Sequence, residues 1–238
     1  MGRQELQSRK VVSTSRLALW MLMVLTFVTG VVDAVGFLAL DRVFVGNMTG
    51  NIVILGMAVA GADGLPIMGP AIALGTFTSG AVVAGAFLRV RRKEWSGAVT
   101  ALLTTSTVVL SGTGIAYVFP GMRESPGMAL VASSLTAAVM GVQAAVARSL
   151  AVTDMTTVVV TSTLTSLASE SLIEGGVRGL WNRRFAAIGV LFGGALLGAV
   201  LLRFGPAVPL VLAGLLTGVV SVLGHMRLFT ANGRVDEK

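Results

Sequence analysis

Apolar residues occur along this chain in long runs, which polar or basic clusters separate from one another. A membrane-spanning helix needs roughly 20 mainly apolar residues. Runs of about that length cover residues 17–40, 66–90, 97–119, 127–150, 184–204 and 207–228. Two further runs, 43–60 and 153–168, are shorter or more polar. The pattern predicts an all-α polytopic membrane bundle of about six transmembrane helices plus two short, broken or re-entrant helices.

Composition independently favours a membrane protein. Hydrophobic residues make up 54% of the chain and charged residues 12%, and the mean hydropathy is +0.86, far from the soluble balance. The 30 glycines suit helices that approach closely in lipid. We therefore expect one membrane domain over 17–228, surrounded by membrane lipids, with tails at 1–16 and 229–238.

Basic residues predict how the bundle is oriented. The net charge is +7, and the basic residues cluster at the ends of apolar runs, where they interact with lipid headgroups rather than nucleic acid. If all eight runs crossed, Arg89 to Lys93 would lie outside, against the positive-inside rule. With six spans, most basic residues fall inside. This favours a multi-pass protein of the inner membrane whose N- and C-terminal tails are both cytoplasmic.

The residue inventory disfavours an enzyme. The chain has no cysteine and one histidine, His225, which disfavours disulfides, thiol catalysis and Cys- or His-ligated metal sites. No HExxH, GxSxG or CxxC pattern is present. We expect neither a catalytic residue nor a cofactor.

An internal repeat divides the chain into halves at about 17–120 and 126–228. Gly75, Gly80 and Arg89 recur as Gly189, Gly194 and Arg203 at one constant offset. Each half holds three spans and one weak run, and an odd number of spans makes the two halves inverted repeats, as in many transporters. The sequence predicts that two glycine rows pack helices together, Gly75/Gly80/Gly85 and Gly189/Gly193/Gly194/Gly198.

Residues 30–56 place polar groups inside an apolar run, where they are costly unless protein or a wet cavity satisfies them. Asp33 lies within the first span, and Asp41 with Arg42 closes it. Asp33 could bind a cation or proton, face the positive end of a broken helix, pair with Arg42 or Arg148, or cap the segment that follows. Asp41 and Arg42 suit an interfacial pair.

The cluster from Gly46 to Asn51 suits a helix break, because its residue types favour caps and unusual backbone conformations. Its polar groups could line a pore, or could only form hydrogen bonds between helices. Gln143 and a Thr-rich run occupy the related place in the second half. The candidate pathway residues from both halves are Asp33, Asn47, Thr49, Gly50, Asn51, Gln143, Thr157, Thr161 and Thr163.

The same region resembles a known family. VVDAVGFLAL at 31–40 and RVFVGNMTGNIVILG at 42–56 are similar to the signature of the YoaK-like family of bacterial membrane proteins, DUF1275. The resemblance extends from Leu17 to Leu228 and is most specific from Phe44 to Gly56. It implies a polytopic inner-membrane protein and supplies no activity.

Two functions follow from these features. Inverted halves and buried polar groups favour a transporter or channel for a small solute or ion, with its site between the halves. The alternative is a non-transporting membrane scaffold or assembly protein, in which the polar groups only hold helices together. Besides lipid and a solute or ion, a second copy of the chain is a partner that this composition allows.

Overall fold

The computed structural model describes residues 3–89, 95–123, 125, 127–150 and 183–229, with side-chain positions from residue 17 onward except at residues 123, 183, 184 and 229. Its main helices are α1 Arg3–Ala39, α2 Met48–Val59, α3 Met68–Leu88, α4 Gly97–Ala116, α5 Met128–Ser149, α6 Arg183–Leu201 and α7 Ala207–Gly224. Single turns, at Pro120–Arg123, Leu202–Phe204 and His225–Phe229, adjoin these helices. The described residues contain no strand, so the predicted all-α fold is confirmed.

Six of the described helices are long and apolar enough to cross a membrane, and α2 is shorter. All six correspond to the predicted spans. The sequence suggests an interruption of the first span at Gly30 and Asp33, but α1 continues without a break through both residues to Ala39. The second weak run, 153–168, lies outside the described residues.

Two clusters of buried side chains mark the two ends of the bundle. The Trp95 cluster includes Met21, Leu88, Trp95, Val146 and Val220. The Tyr117 cluster includes Leu40, Ala73, Tyr117, Met128 and Leu210. Since most long helices contribute to both clusters, the clusters show which way each helix runs. We call the corresponding ends of the bundle the Trp95 end and the Tyr117 end.

Successive spans alternate in direction. α1 and α4 run from the Trp95 end to the Tyr117 end, and α3, α5 and α7 run back. α6 runs parallel to α1, because Gly194 lies against Phe27 and Gly198 lies against Val31. α1 ends and α3 begins at the Tyr117 end. Residues 40–67, which connect them and contain α2, therefore begin and end on the same side of the bundle. The first weak run makes no crossing of its own, as the basic residues predict.

Burial differs greatly among the spans. The most apolar window of α1 is 67% buried in the protein, whereas those of α3 and α6 are 17% and 11% buried. α1 is thus an inner helix, and α3 and α6 lie at the sides. Their exposed apolar residues, such as Phe87 and Phe192, suit contact with lipid tails.

Glycines bring α1 and α6 into backbone contact. A Cβ at Gly194 would meet the carbonyl oxygen of Phe27, and one at Gly30 would meet the carbonyl oxygen of Leu191. Only glycine permits this approach, because any side chain at either position would separate the helices.

The α3–α5 pair has the same arrangement. A Cβ at Gly80 would meet the carbonyl oxygen of Ala138, and one at Gly141 would meet the carbonyl oxygen of Phe77. Gly80 and Gly194 belong to the predicted glycine rows, as does Gly198. For Gly75, Gly85 and Gly189 no described residue lies within 4 Å of the Cβ position, so packing is seen for only part of each row.

The third spans of the two halves, α4 and α7, pack against each other in opposite directions. A Cβ at Gly114 would lie 2.9 Å from Cγ2 of Val211. At the other end of the pair, the indole of Trp95 covers Gly224. Each of the three extensive helix contacts, α1–α6, α3–α5 and α4–α7, therefore joins one half of the chain to the other.

Candidate functional site

The candidate site begins where α1 ends and the chain folds back along it. Asp41 and Arg42 have φ values of 63° and 52°, a left-handed conformation that residues with a side chain rarely adopt. The carbonyl oxygen of Gly36 accepts hydrogen bonds from the N–H groups of Leu40 and Val43, both at 3.2 Å. Leu40, Val43 and Val45 are fully buried. The apolar side chains of the loop of residues 40–47 are thus packed into the protein, whereas Asp41, Arg42 and Asn47 of the same loop are exposed.

The Asp33 carboxylate on α1 forms hydrogen bonds with this loop. Its Oδ1 accepts a hydrogen bond of 2.6 Å from the backbone N–H of Gly46. The backbone N–H groups of Val45 and Asn47 also interact with the carboxylate. Successive N–H groups of this kind form a concave anion site. Asp33 therefore serves as an anchor for the start of α2.

These contacts bear on the roles that the sequence leaves open for Asp33. Arg42 lies elsewhere, since its Nη1 donates to the carbonyl oxygen of Gly64 at 3.3 Å. Among the described side chains no ion pair to Asp33 is found. The cap of the following segment is the role that these contacts support.

Asp41 also lies at a helix start rather than forming the expected pair with Arg42. A Cβ at Gly69, in the first turn of α3, would lie 2.7 Å from its Oδ2. No side chain caps α3 at its own N-cap residue, Ile67. A carboxylate here interacts favourably with the positive end of the helix dipole.

Asn47, Thr49 and Gly50 form the first turn of α2. Asn47 is the N-cap, and its Oδ1 accepts from the N–H of Gly50 at 3.2 Å. Asn47 and Thr49 are exposed at the surface of the protein. A Cβ at Gly50 would lie 2.7 Å from Cδ2 of Phe44, whose ring stacks on Phe37 with 5.0 Å between centroids. Gly50 therefore provides space for an aromatic ring.

Asn51 is fully buried and ties α2 to the loop before it. Its Oδ1 accepts from the N–H of Phe44 at 2.9 Å, and its Nδ2 donates to the carbonyl oxygen of Phe44 at 2.5 Å. Both backbone groups of one loop residue are satisfied by a single side chain. In a region without water these groups would otherwise be left unpaired, at a large cost.

Gln143 is the one candidate of the second half within the described residues. It is 3% exposed, and its Nε2 donates to Oγ1 of Thr217 on α7 at 3.3 Å. No hydrogen bond in the described part of the chain joins it to Asp33 or to residues 40–51. Thr157, Thr161 and Thr163 lie outside the described residues. The structure thus brings together Asp33, Asn47, Gly50 and Asn51, and it places Gln143 in a separate contact.

A polar seam between α4 and α7 was missed by the sequence reasoning. Oγ1 of Thr104 and Oγ of Ser221 are 3.0 Å apart, and Ser221 also donates to the carbonyl oxygen of Thr100 at 3.1 Å. Nearer the Trp95 end, Oγ1 of Thr100 is 3.4 Å from Nδ1 of His225. We call these residues, with Thr217, the α4–α7 seam. The i, i+4 spacing of Thr217, Ser221 and His225 was the available signal.

The sites differ in their chemistry. In the loop over Asp33, the N–H of Gly46 and both backbone groups of Phe44 are paired with the side chains of Asp33 and Asn51, so these bonds can hold α2 in place. The seam carries hydroxyl, amide and imidazole groups without a carboxylate. At the surface of the Tyr117 end, Phe37, Asp41, Arg42, Gly64 and Pro66 line a shallow, open depression. The described residues contain no group of three His, Cys, Asp or Glu side chains that could hold a metal ion.

Comparisons with known proteins agree with the membrane fold. A family model described as a protein of unknown function, DUF1275, matches residues 21–223. The chain is also 30% identical over 153 residues to the UPF0700 transmembrane protein YoaK of Bacillus subtilis (strain 168). That alignment covers 63% of this chain and 65% of the relative's length. No solved structure matches the chain.

Proposed function

Because the chain belongs to the DUF1275 family and is a multi-pass membrane protein, we propose that it is a transporter or channel for a small solute or ion. In this proposal the site lies between two inverted repeats, 17–120 and 126–228. The single observation that carries it is the matched pairing of helices between the halves. The first span of the first half, α1, packs on the second span of the second half, α6, and the first span of the second half, α5, packs on the second span of the first half, α3. The third spans, α4 and α7, pack on each other.

The glycine contacts support the repeat at the level of single residues. Gly194 meets the backbone of Phe27, and Gly80 meets the backbone of Ala138. Gly80 and Gly194 are also equivalent in the sequence repeat. α1 and α5, the first spans of the halves, run in opposite directions. This favours inversion about an axis in the membrane plane, the arrangement in which transporter sites form between the halves.

The loop of residues 40–47 and α2, which we call the re-entrant segment, add a second line of support. Gly46 lies beside Asp33, which is six residues before the end of α1, or roughly 9 Å along the helix axis. Irregular backbone at such a depth occurs only where protein buries it or where it lines a cavity. Val43, Val45 and Gly46 thus reach into the protein from the Tyr117 end, and the buried Asn51 ties α2 to them.

The orientation and location are also proposals. Arg89, Arg148 and Arg227 lie at the Trp95 end, and Arg42 and Arg203 lie at the Tyr117 end. The positive-inside rule then makes the Trp95 end cytoplasmic. We propose an inner-membrane protein with cytoplasmic termini, no catalytic activity and no nucleic-acid partner.

A scaffold is the second candidate function, and one observation favours it. Asp33 and Asn51 form their hydrogen bonds within the protein, as expected if they only hold helices together. A scaffold would give no flux through the protein. A transporter or channel would move solute even though these two side chains have structural roles.

Reconstitution into vesicles tests the proposal. Purified protein would be placed in proteoliposomes, and stopped-flow light scattering would follow water and urea while fluorescent dyes follow H⁺ and K⁺. We expect flux above that of protein-free vesicles for at least one of them. The absence of flux for all four would favour the scaffold.

A matched pair of variants on α2 would link flux to the re-entrant segment. Gly50→Leu places a side chain where the Phe44 ring lies, so we expect the protein to insert but to lose flux. Gly56→Leu adds the same side chain on the same helix, where no atom lies within 4 Å of the Cβ position. Its flux should remain. Equal flux in the two variants would show that α2 does not control the pathway.

A further inference from the structure

The depression at the Tyr117 end lies at the level where α1 leaves the membrane. It is lined by the last turn of α1, by the two charged residues that follow, and by the turn before α3. Its volume is about 780 Å³, within the range of roughly 300–1,000 Å³ for small-molecule sites. The first span ends at Ala39 and the second begins at Met68. The depression therefore extends from the edge of the hydrocarbon into the headgroup region, which is roughly 5–8 Å thick on each side of a bilayer.

The part of the depression on α1 is apolar. Phe37 and Leu38 are 38% and 62% exposed, and both belong to the membrane span. The Phe37 ring is held in place by stacking on Phe44, with 5.0 Å between centroids. Leu65 and Pro66 add apolar surface from the turn before α3. An alkyl chain can lie against this part of the depression.

Arg42 offers hydrogen-bond donors to the same depression. Its side chain is exposed, and its Nη1 donates to the carbonyl oxygen of Gly64 at 3.3 Å. This bond fixes the guanidinium between the end of α1 and the turn before α3. A guanidinium has five N–H donors, and the described residues accept from it only at Gly64. The remaining donors form a planar fork, which suits the oxygens of a phosphate.

Asp41 adds a negative charge beside this positive one. Its carboxylate is exposed, with Oδ2 close to the first turn of α3 at Gly69. Among the described residues no cation pairs with it, Arg42 included. Both residues adopt the left-handed conformation, which has a conformational cost, and both line the depression. The depression therefore presents one anionic and one cationic group, each accessible from outside.

These two charges specify the class of headgroup. A headgroup with only negative charge would attract Arg42 and be repelled by Asp41. The quaternary ammonium of choline has no N–H to donate to a carboxylate. An ethanolamine phosphate has a phosphate and a primary ammonium separated by two carbons, so it offers a partner to each side chain. Hydrogen bonds between ionised groups of this kind are the strong ones.

We propose that the depression binds one phospholipid whose headgroup ends in a primary ammonium. The phosphate lies on Arg42, the ammonium on Asp41, and the start of an acyl chain along Phe37 and Leu38. The lipid comes from the leaflet that surrounds the Tyr117 end. This goes beyond the proposed function, because a scaffold can bind such a lipid as well as a transporter can.

Native mass spectrometry of the full chain in detergent tests the site. The protein would be titrated with phosphatidylethanolamine, phosphatidylcholine and phosphatidylglycerol that carry the same acyl chains. We expect the first lipid to bind roughly two- to fivefold more tightly for phosphatidylethanolamine than for the other two, the size of one exposed charge pair. Equal affinities for the three lipids would overturn the proposal.

Variants assign each charge its part. Asp41→Asn removes the carboxylate and keeps a residue that tolerates the left-handed conformation, so the preference for phosphatidylethanolamine should disappear. Arg42→Gln should weaken the binding of all three lipids, because each has a phosphate. Asp63→Asn and Arg203→Gln are the controls, since both positions are exposed at the same end and lie outside the depression. They should bind as the unaltered protein does.

Thermal unfolding would establish that the variants remain folded. If Arg42→Gln unfolds, Arg42→Lys replaces it, and it should still weaken binding because a lysine keeps the charge without the planar fork. An unchanged lipid preference in the folded Asp41→Asn variant would contradict the site. The same holds if the control variants lose the preference as well.

Competition separates a lipid from a soluble molecule with the same headgroup. O-phosphoethanolamine has both charges and no acyl chain, so it should displace the lipid only at a much higher concentration. Displacement at an equal concentration would contradict the lipid site and assign the depression to a soluble zwitterion. Selective lipid binding by a protein that gives no flux in vesicles would support this site and contradict the transport function, so the two proposals can fail separately.

Discussion

At the scale of single residues, Asp33 and Asn51 both use their polar groups to satisfy loop backbone. Asp33 accepts from Gly46, and Asn51 bonds to both backbone groups of Phe44. The partners differ in chemistry, since a carboxylate can only accept whereas an amide also donates. This difference allows each role to be tested with a conservative and a non-conservative substitution.

For Asp33 we predict that Asp33→Ala lowers the free energy of unfolding by about 1–3 kcal/mol, because the buried N–H of Gly46 loses its acceptor. Asp33→Asn keeps an oxygen in place and should retain most of that stability. Thermal or denaturant unfolding in detergent would measure both. If Asn is as destabilising as Ala, the loop requires both acceptor oxygens of the carboxylate rather than a single oxygen at this position.

For Asn51 we predict that Asn51→Ala lowers the free energy of unfolding by about 2–4 kcal/mol, because it leaves two backbone groups of Phe44 unpaired. Thr49→Ala, at an exposed position of the same helix, should change it by less than about 0.5 kcal/mol. Unfolding in one detergent would compare the two. Similar losses for both variants would mean that the Asn51 bonds do not stabilise the loop.

At the scale of elements, the paired helices depend on a few backbone contacts. α3 and α5 touch through Gly80 and Gly141, and α1 and α6 touch through Gly30 and Gly194. Lipid tails are as apolar as the helix surfaces, so close packing rather than water exclusion holds such pairs together. A single methyl group at a contact glycine is therefore enough to disturb a pair.

We predict that Gly80→Ala destabilises the protein by about 1–3 kcal/mol, because its Cβ would meet the backbone of Ala138 and force α3 away from α5. Gly194→Ala, its counterpart in the proposed repeat, should have a similar effect, because its Cβ would meet the backbone of Phe27. Gly85→Ala is the control, because no described atom lies within 4 Å of its Cβ position, and it should be neutral or stabilising by up to roughly 1 kcal/mol. Unfolding midpoints in detergent would rank the three. A Gly85 variant as unstable as the Gly80 variant would refute this packing argument.

At the scale of the whole molecule, the alternation of spans gives the bundle two distinct ends. The segment that contains α2, residues 40–67, begins and ends at the Tyr117 end, so it does not change the alternation of the spans. More arginines lie at the Trp95 end, among them Arg89 and Arg227, which follow α3 and α7. The asymmetry predicts which end faces the cytoplasm.

The orientation can be measured by labelling single cysteines, since the chain has none of its own. We predict that a membrane-impermeant maleimide labels Asp63→Cys and Gly121→Cys in intact cells. Arg89→Cys and Arg227→Cys should react only after the membrane is opened. Labelling of Arg89→Cys from outside would reverse the bundle, and labelling of only one of these two cytoplasmic positions would break the six-span arrangement.

Sequence alone determined the number of spans and the place of the short helix. The thickness of the hydrocarbon core sets the length of a spanning helix, so the lengths of apolar runs predict the six spans found. The residues at 31–40 and 42–56 were also sufficient to recognise the family. These properties depend on local composition, which the sequence states directly.

Tertiary structure decided what the polar residues do. Asp33 bonds to a group 13 residues away, Asn51 to groups seven away and Gln143 to a side chain 74 away. Such partners are chosen by how the helices pack, which no periodicity or spacing specifies. The hydroxyls of Thr136 and Tyr117 have no hydrogen-bond partner among the described residues, and this too depends on how the surrounding helices pack rather than on the sequence pattern.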